Sequence, residues 1–242
     1  MPLLDHFASP LGDDWPWDGF HGTWAAAIAA HLNADLLPPE YYAVPLVKRG
    51  GQVEIDVATF GRNGGSGGTT GSAVATAVWA PPRPVRLGPL DFVSLDLFEV
   101  QIVQRVGGPQ LRATIELISP ANRDGPATRR AFAIKCASYL QRGISVVTID
   151  VVTHRLANLH AELLDVLRLT ETPPWESPTH LAGVAYRTAP VGEQQELQFW
   201  PHVLTLGAPL PTVPLWLEAD LSLPLPLEET YSAACRSLRI PT

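Results

Sequence analysis

The sequence has few cysteines and no long apolar run. Its two cysteines, Cys136 and Cys235, have neither the spacing of a zinc site nor the number needed for a disulfide framework, so we expect both to be buried as small apolar residues. No stretch reaches the roughly 18 apolar residues of a membrane span, and the opening MPLLDHFASP lacks the basic and apolar regions of a signal peptide. These absences favour a cytoplasmic protein without a membrane partner.

Basic residues are also scarce. The chain carries 17 Lys and Arg against 24 Asp and Glu, which gives a formal net charge of -7. This balance counts against a large nucleic-acid surface, because proteins that bind nucleic acid tend to be basic. It leaves open a local basic groove around Arg123, Arg129 and Arg130, so nucleic acid and a protein both stay candidate partners. The composition does not predict an oligomeric state.

The stretch from residue 112 to residue 150 has the pattern strand, turn, helix, strand. Residues 114–118 form an apolar, β-branched run that predicts a buried strand. Residues 119–122, SPAN, break the chain. Helical spacing over residues 127–142 ends at Gly143, and residues 144–152 predict a second strand. A unit of this length is typical of a right-handed crossover between parallel strands.

The rest of the chain predicts further helices and strands around this unit, and so an α/β protein with a mixed sheet. Asp18 is predicted to cap the first helix. The predicted elements are a helix over 20–36, a hairpin of 41–48 and 52–60 about the turn 49–51, and a strand over 92–105 that pairs with the strand at 111–118. They continue with a helix over 156–169, a hairpin of 180–187 and 196–206, an extended proline-rich strip from 209, and a helix over 227–238.

Two carboxylates on predicted strands are candidates for chemistry. Glu116 lies among apolar residues, where a carboxylate is costly to bury unless it is paired or binds a metal. Strand alternation places it on one face with Thr114 and Ile118. Asp56 is the second candidate, and Glu54 shares its face. Two interpretations stay open, namely ordinary ion-paired or solvent-facing acids, and a hard-oxygen site for Mg²⁺ or Mn²⁺.

Several motifs resemble a bacterial family catalogued as domain of unknown function 4058. The most specific are ELISPANR at 116–123 and SVVTID at 145–150. Shorter matches are Trp15, GFH at 19–21, the two tyrosines at 41–42, LPTVPL at 210–215 and Tyr231. The resemblance covers essentially the whole chain. That family has no established activity, so the resemblance implies a common ancestry and leaves the reaction open.

The Asp56 strand and residues 114–150 are also similar to a restriction-endonuclease-like family abundant in cyanobacteria, whose fold is of the PD-(D/E)XK type. In that superfamily an Asp and a Glu on adjacent strands hold the metal, and a lysine follows the Glu by two positions. Here Ile118 occupies that position. In the cyanobacterial family the lysine lies on the next helix, ahead of a tyrosine and a glycine, and Lys135, Tyr139 and Gly143 match that spacing.

This resemblance implies a metal site for Mg²⁺ or Mn²⁺. Asp56 and Glu116 are the expected ligands and Lys135 the expected catalytic cation, while the supporting residues are Glu54, Asn122, Arg123 and Tyr139. The implied architecture is a single domain over 1–242. It has a PD-(D/E)XK-like core at 15–155, a glycine-rich insertion at 61–72 and a C-terminal extension of strands and helix at 156–242.

Two functions follow from this interpretation. The first is metal-dependent hydrolysis of phosphodiesters, in which the ion activates water and the lysine stabilises developing negative charge. The alternative is a non-catalytic interaction module on a degenerate nuclease fold, which binds a protein through the core or the strip at 209–226. An open cleft at Glu116 favours the first. Packing by apolar side chains, or an ion pair with Arg123 or Arg130, favours the second.

Overall fold

The protein is an α/β chain with one mixed sheet and a small second sheet. The computed structural model describes residues 1–52, 94–169, 174–191 and 194–241. Its helices are α1 (Leu11–Asp14), α2 (Trp17–His31), α3 (Gly125–Gln141), α4 (Leu159–Val166) and α5 (Leu227–Ser237). Its strands are β1 (Tyr41–Gln52), β2 (Ser94–Gln104), β3 (Gln110–Leu117), β4 (Ser145–Asp150), β5 (Ala182–Val191), β6 (Gln194–Val203), β7 (Thr212–Trp216) and β8 (Ser222–Pro226). Within these residues no helix is long and apolar enough to cross a membrane.

Among the described residues, the large sheet has six strands in the order β1-β2-β3-β4-β5-β6. β3 and β4 are parallel and are joined through α3, as the crossover pattern predicts. The other neighbours are antiparallel, including the predicted pair of β2 and β3. β7 and β8 form a separate two-stranded sheet.

Each face of the large sheet has its own apolar core, and the segment of β3 with the residue that follows it contributes to both. Ala113, Ile115 and Leu117 belong to the larger core, which includes the buried residues of α2 and α5. Ile118 belongs to the second core, with residues of α3 and α4. The predicted alternation of this strand is therefore confirmed. It directs Thr114 and Glu116 towards the side that α3 covers.

A β-bulge sets the register between β2 and β3. Val103 pairs with Leu111, but Ile102 pairs with Ala113, so Arg112 is an extra residue in β3. Because a shift of one residue exchanges the two faces of a strand, the bulge determines which side chains meet. Beyond it, Glu99 lies directly opposite Glu116 on the α3 side of the sheet.

The start of the first long helix differs from the prediction. α2 begins at Trp17, directly after Pro16, and Asp18 lies in its first turn rather than at its cap. Pro16 has a non-helical ψ of 136° and is the residue that directly precedes the helix, as proline at a helix start often is. Burial of Trp17 in the larger core extends the helix to this point. The end is less regular than predicted, because α2 stops at His31 and Leu32–Leu36 form a π-helical turn.

The predicted hairpin turn at 49–51 is wrong. β1 continues through Gly51 and Gln52, which pair with Leu95 and Ser94 of β2, and a register irregularity between Lys48 and Gly51 accommodates the glycines. The local signal for a turn was overridden by a partner strand far away in the sequence. The second predicted arm at 52–60 falls mostly outside the described residues, and so do Glu54, Asp56 and the glycine-rich segment 61–72.

Towards the C-terminus the predicted elements are present with different bounds. β5 and β6 form the predicted antiparallel pair. α4 is shorter than expected, since it spans only Leu159–Val166. The proline-rich strip becomes β7 and pairs with β8, a strand that was not predicted because its sequence, SLPLP, alternates with proline.

Candidate functional site

Glu116 and Lys135 meet beneath α3. The Lys135 Nζ atom lies 2.8 Å from Glu116 Oε1 and 2.9 Å from Glu116 Oε2. Glu116 is on β3, and Lys135 is on the buried side of α3, the helix that connects β3 to β4. Lys135 is only 5% exposed and is therefore an interior lysine rather than a solvent-facing one. The structure brings together these two of the three residues that the resemblance implied as catalytic.

The second carboxylate at this point is Glu99, on β2. Its Oε2 atom lies 2.7 Å from Lys135 Nζ, so one ammonium group bridges two carboxylates on adjacent strands. We call Glu99, Glu116 and Lys135 the carboxylate–lysine cluster. Sequence reasoning missed Glu99. Strand alternation indicates that Glu99 lies on the face opposite to Val100 and Ile102. Its position across from Glu116, however, depends on the bulge at Arg112.

Neighbouring side chains hold both carboxylates in place. Gln101 donates from Nε2 to Glu99 Oε1 at 2.6 Å. The Tyr139 hydroxyl, one helical turn after Lys135, lies 3.4 Å from Glu99 Oε2. Thr114 donates to Glu116 Oε1 at 3.4 Å. Gln101 and Thr114 are themselves partners across β2 and β3, so each carboxylate has a support from its own strand.

Burial determines the charge state of the cluster. Glu99 is 1% exposed and Glu116 is 3% exposed. Burial raises the pKa of Glu116 to about 8, an effect that Lys135 opposes and the negative Glu99 reinforces. Burial also disfavours the charged form of Glu99, but Lys135 and a hydrogen bond from Glu116 outweigh it and lower the Glu99 pKa. These shifts favour an ionised Glu99, a protonated Glu116 and a charged Lys135 near neutral pH.

Asn122 and Arg123, two of the residues expected to support the site, act elsewhere. Asn122 Oδ1 accepts from the Ser119 backbone at 2.8 Å and from its hydroxyl at 3.0 Å, which closes the turn after β3. Arg123 donates to Asp150 Oδ2 from Nε at 3.0 Å and from Nη2 at 2.6 Å, and to the Val152 carbonyl at 2.7 Å. These bonds tie the exit of β3 to the exit of β4. Of the three expected supports that the structure describes, Tyr139 contacts the cluster through Glu99, while Glu54 is outside the described residues.

The other arginines near this face are also paired. Arg129 Nε lies 3.0 Å from Glu162 Oε1, and Arg130 Nη1 lies 2.9 Å from Asp165 Oδ2. Both acidic partners are on α4. The basic groove considered from the sequence is therefore neutralised at these positions.

The cluster offers the ligand type that a hard cation needs. Mg²⁺ is commonly held by one or two carboxylates, while waters and substrate phosphates complete its shell. Glu99 and Glu116 match this requirement, and Lys135 balances only one of their two charges when both are ionised. Within the described ranges there is no group of three or more His, Cys, Asp or Glu side chains arranged to hold a metal. Glu99 and Glu116 are 1% and 3% exposed and the Lys135 ammonium already bridges them, so an ion with waters and substrate in its shell requires the cluster to open.

A cavity of about 50 Å³ lies on the same side of the sheet, one strand beyond Glu116. Thr148, the β4 partner of Glu116, lines it. Its other walls include Asp150 at the end of β4, Tyr186 of β5, His160 of α4 and Trp175. The carboxylate–lysine cluster and this cavity are thus neighbouring features on one face.

Comparisons with models of known protein families, with curated proteins and with solved structures each found no match. The function is therefore inferred from the geometry of the cluster and its surroundings.

Proposed function

We propose that the protein is a divalent-metal-dependent phosphodiesterase of the PD-(D/E)XK type that acts on nucleic acid. Glu99 and Glu116 are its metal ligands, and Lys135 is its catalytic cation. One observation carries this proposal: Lys135 Nζ bridges carboxylates of adjacent strands at 2.7 and 2.8 Å. Acids on adjacent strands with a lysine from the next helix form the arrangement that the resemblance of residues 114–150 implies. Glu99 is the second carboxylate of this proposal, while Asp56, the one expected from the sequence, lies outside the described residues and stays a prediction.

The proposed reaction assigns a task to each residue. Glu99 and Glu116 would hold a Mg²⁺ or Mn²⁺ ion, which would supply a water of lowered pKa and polarise the phosphoryl oxygen. Glu99 and Glu116 provide the anionic oxygens, and Gln101 and Thr114 keep them oriented. Glu116 must lose its proton before both of its oxygens can accept a cation. Lys135 stabilises the negative charge that develops on the phosphoryl group.

A second candidate, the non-catalytic interaction module, is favoured by the burial of the cluster. All three members are at most 5% exposed, and their ion pairs are complete without any ligand. In this case the cluster fixes α3 on the sheet, and the chain binds a protein partner. The pairing of Arg129 and Arg130 with acids of α4 also favours this candidate, because it reduces the positive charge available to nucleic acid.

A thermal-shift titration with Mn²⁺ separates the two candidates. For the phosphodiesterase we expect a hundredfold excess of Mn²⁺ over its Kd to stabilise the fold by about 2.7 kcal/mol, or roughly 5–10 °C for a chain of this length. Glu99→Gln and Glu116→Gln should abolish the shift. Asp165→Asn, which removes an exposed carboxylate of α4, is the matched control and should retain it.

Cleavage of single- and double-stranded DNA and RNA in Mn²⁺ is then measured with the same four proteins. Cleavage by the wild type and Asp165→Asn, and none by the two glutamine variants, is the expected result. A Mn²⁺ shift without cleavage of any of these substrates would contradict hydrolysis. Equal Mn²⁺ shifts in all four proteins, or none in any, would favour the interaction module.

A further inference from the structure

The ammonium group of Lys135 binds most of the carboxylate oxygens in the cluster. Its Nζ atom lies 2.7 Å from Glu99 Oε2, 2.8 Å from Glu116 Oε1 and 2.9 Å from Glu116 Oε2. The fourth oxygen, Glu99 Oε1, accepts from Gln101 Nε2 at 2.6 Å. A divalent cation held by the same two carboxylates needs oxygens that Lys135 already binds. The ammonium and such an ion therefore compete for one position.

Burial turns this competition into exclusion. The side chains of Glu99, Glu116 and Lys135 are 1%, 3% and 6% exposed. Two cations close together repel each other strongly where little water screens their charges. Two ionised carboxylates match the charge of one divalent cation, but not that of an ion and an ammonium together. The ammonium must therefore withdraw before an ion can bind.

Tyr139 offers the withdrawn ammonium a second position. It follows Lys135 by four residues on α3, and the centroid of its ring lies 5.8 Å from Lys135 Nζ. A cation within about 6 Å of an aromatic face is attracted to the ring. Tyr139 is partly exposed, whereas Lys135 is buried, so a move towards this ring brings the ammonium nearer to solvent. The aliphatic stem of lysine is flexible enough for such a rotation.

The helix that carries both residues can stay in place during this change. Phe132, Cys136 and Leu140 of α3 are buried in the second core. Apolar packing therefore holds α3 on the sheet in addition to the ion pairs of Lys135. Opening of the cluster is then a change of side-chain rotamer rather than of fold.

We propose that Lys135 is a built-in competitor of the metal ion: its ammonium closes the site between Glu99 and Glu116, and its withdrawal to the face of Tyr139 opens the site. This inference rests on the proposed function, because it takes the two carboxylates as metal ligands. It adds a form of control, since the fraction of molecules in the open form sets the apparent affinity for the ion. In the open form the ammonium is free to meet a phosphoryl group.

Mn²⁺ binding to the full chain without substrate, measured by calorimetry, tests the competition. Lys135→Met removes the ammonium and keeps an unbranched side chain. It should bind Mn²⁺ about tenfold more tightly than the wild type or better, as expected when the open form is about a tenth of the population or less. Arg130→Met removes the same charge from the exposed side of α3 and should change the Kd less than about twofold, because solvent and salt screen that charge. Glu116→Gln, added to Lys135→Met, should abolish the gain.

The outcomes separate this inference from the proposed function. A folded Lys135→Met that binds Mn²⁺ no more tightly than the wild type would overturn the competition, whether or not the wild type cleaves nucleic acid. Tighter binding by Lys135→Met, without cleavage by the wild type, would support the competition and contradict hydrolysis. Binding by neither protein would overturn both.

Variants of Tyr139 provide a measurement that does not depend on the folding of Lys135→Met. Tyr139→Leu should bind Mn²⁺ about threefold more weakly than Tyr139→Phe or worse, because only the phenylalanine keeps the ring. Both variants lack the hydroxyl near Glu99, so they differ in the ring alone. Equal Mn²⁺ affinities of the two variants would overturn the role of Tyr139.

A spectroscopic measurement follows Lys135 in the wild type. Lysine ¹⁵N–¹H spectra should show the Lys135 ammonium resonance shifting as Mg²⁺ is added, because the group exchanges two carboxylates for an aromatic face. If Lys135→Met does not fold, an unchanged resonance would overturn the proposal.

Discussion

Glu99 and Glu116 face each other across β2 and β3 because Arg112 is an extra residue in β3. Without the bulge, the register of Val103 with Leu111 would continue along the strands. Glu99 would then lie opposite Ile115, a residue of the larger apolar core. The bulge therefore brings the two carboxylates to one side, where Lys135 can bridge them.

Removal of Lys135 should be strongly destabilising. Lys135→Met leaves two buried carboxyl groups without their cation, and breaking a buried pair in this way costs about 3–5 kcal/mol. Urea unfolding at neutral pH measures the loss. Arg130→Met is the control, because its pair with Asp165 is exposed and should contribute less than about 1 kcal/mol. Equal effects of the two substitutions would contradict a buried, coupled cluster.

The protonation of Glu116 predicts a specific dependence of stability on pH. Its pKa is about 8 in the folded chain, above the ordinary value of 4.5, so the folded state holds a proton that the unfolded state releases. Its contribution to the free energy of unfolding is complete below the unfolded pKa and is lost as pH rises towards 8, by at most about 1.4 kcal/mol per pH unit. Glu116→Gln should remove this loss.

Denaturant unfolding of the wild type and Glu116→Gln between pH 5 and pH 9 measures that difference. Asp165→Asn, on the exposed side of α4, should follow the wild-type curve. Parallel curves for the wild type and Glu116→Gln would show that Glu116 is ionised in the folded chain.

His21 should produce a dependence of the opposite sign at lower pH. It is fully buried, and its Nε2–H donates to the Leu117 carbonyl at 2.8 Å. Burial lowers its pKa to about 3, more than the bond to Leu117 raises it. Below about pH 6.5, His21 therefore binds a proton in the unfolded state but not in the folded state. Its contribution to the free energy of unfolding is complete above that pH and is lost as the pH falls towards 3.

His21→Gln tests this dependence by unfolding between pH 4 and pH 7. The slope of unfolding free energy against pH should be smaller than in the wild type by about 1.4 kcal/mol per pH unit. His6 and His160 keep their own contributions in this variant, because burial lowers both of their pKa values to about 4. An unchanged slope in His21→Gln would mean that His21 does not titrate as described.

Arg123 should be more important to stability than any exposed arginine. Its guanidinium is buried and donates to Asp150 and to the carbonyls of Val152 and His180. Arg123→Leu leaves Asp150 buried without its cation, and we expect a loss of about 3–5 kcal/mol in urea unfolding. Arg155→Leu, whose pair with Asp124 is largely exposed, should cost less than about 1 kcal/mol. A small effect of Arg123→Leu would show that water replaces these bonds.

The sequence was informative where structure is local. The β3–α3–β4 unit could be predicted because apolar periodicity, the break at 119–122 and Gly143 all agree with one another. The meeting of Lys135 with Glu116 followed from this unit and from the resemblance, since both residues belong to one crossover.

The sequence was less informative where distant segments decide the structure. The role of Glu99 depends on a bulge, which composition does not reveal. Gly50 and Gly51 favour a turn locally, yet β1 continues through them because β2 supplies a partner that begins at residue 94. Asp18 was a reasonable cap by residue type, but the extended Pro16 starts the helix earlier.

The short sequence span of the carboxylate–lysine cluster has a consequence for the order of folding. Glu99, Glu116 and Lys135 come from consecutive elements, whereas the packing of Phe20 against Tyr231 joins opposite ends of the chain. Closing short loops costs less entropy than closing long ones, so contacts of low sequence separation form sooner. We expect amides of β2, β3, α3 and β4 to gain protection before those of α2 and α5 in pulsed hydrogen exchange during refolding. In this order, the candidate site is assembled while the two ends of the chain are still unfolded. Simultaneous protection of all these elements would contradict it.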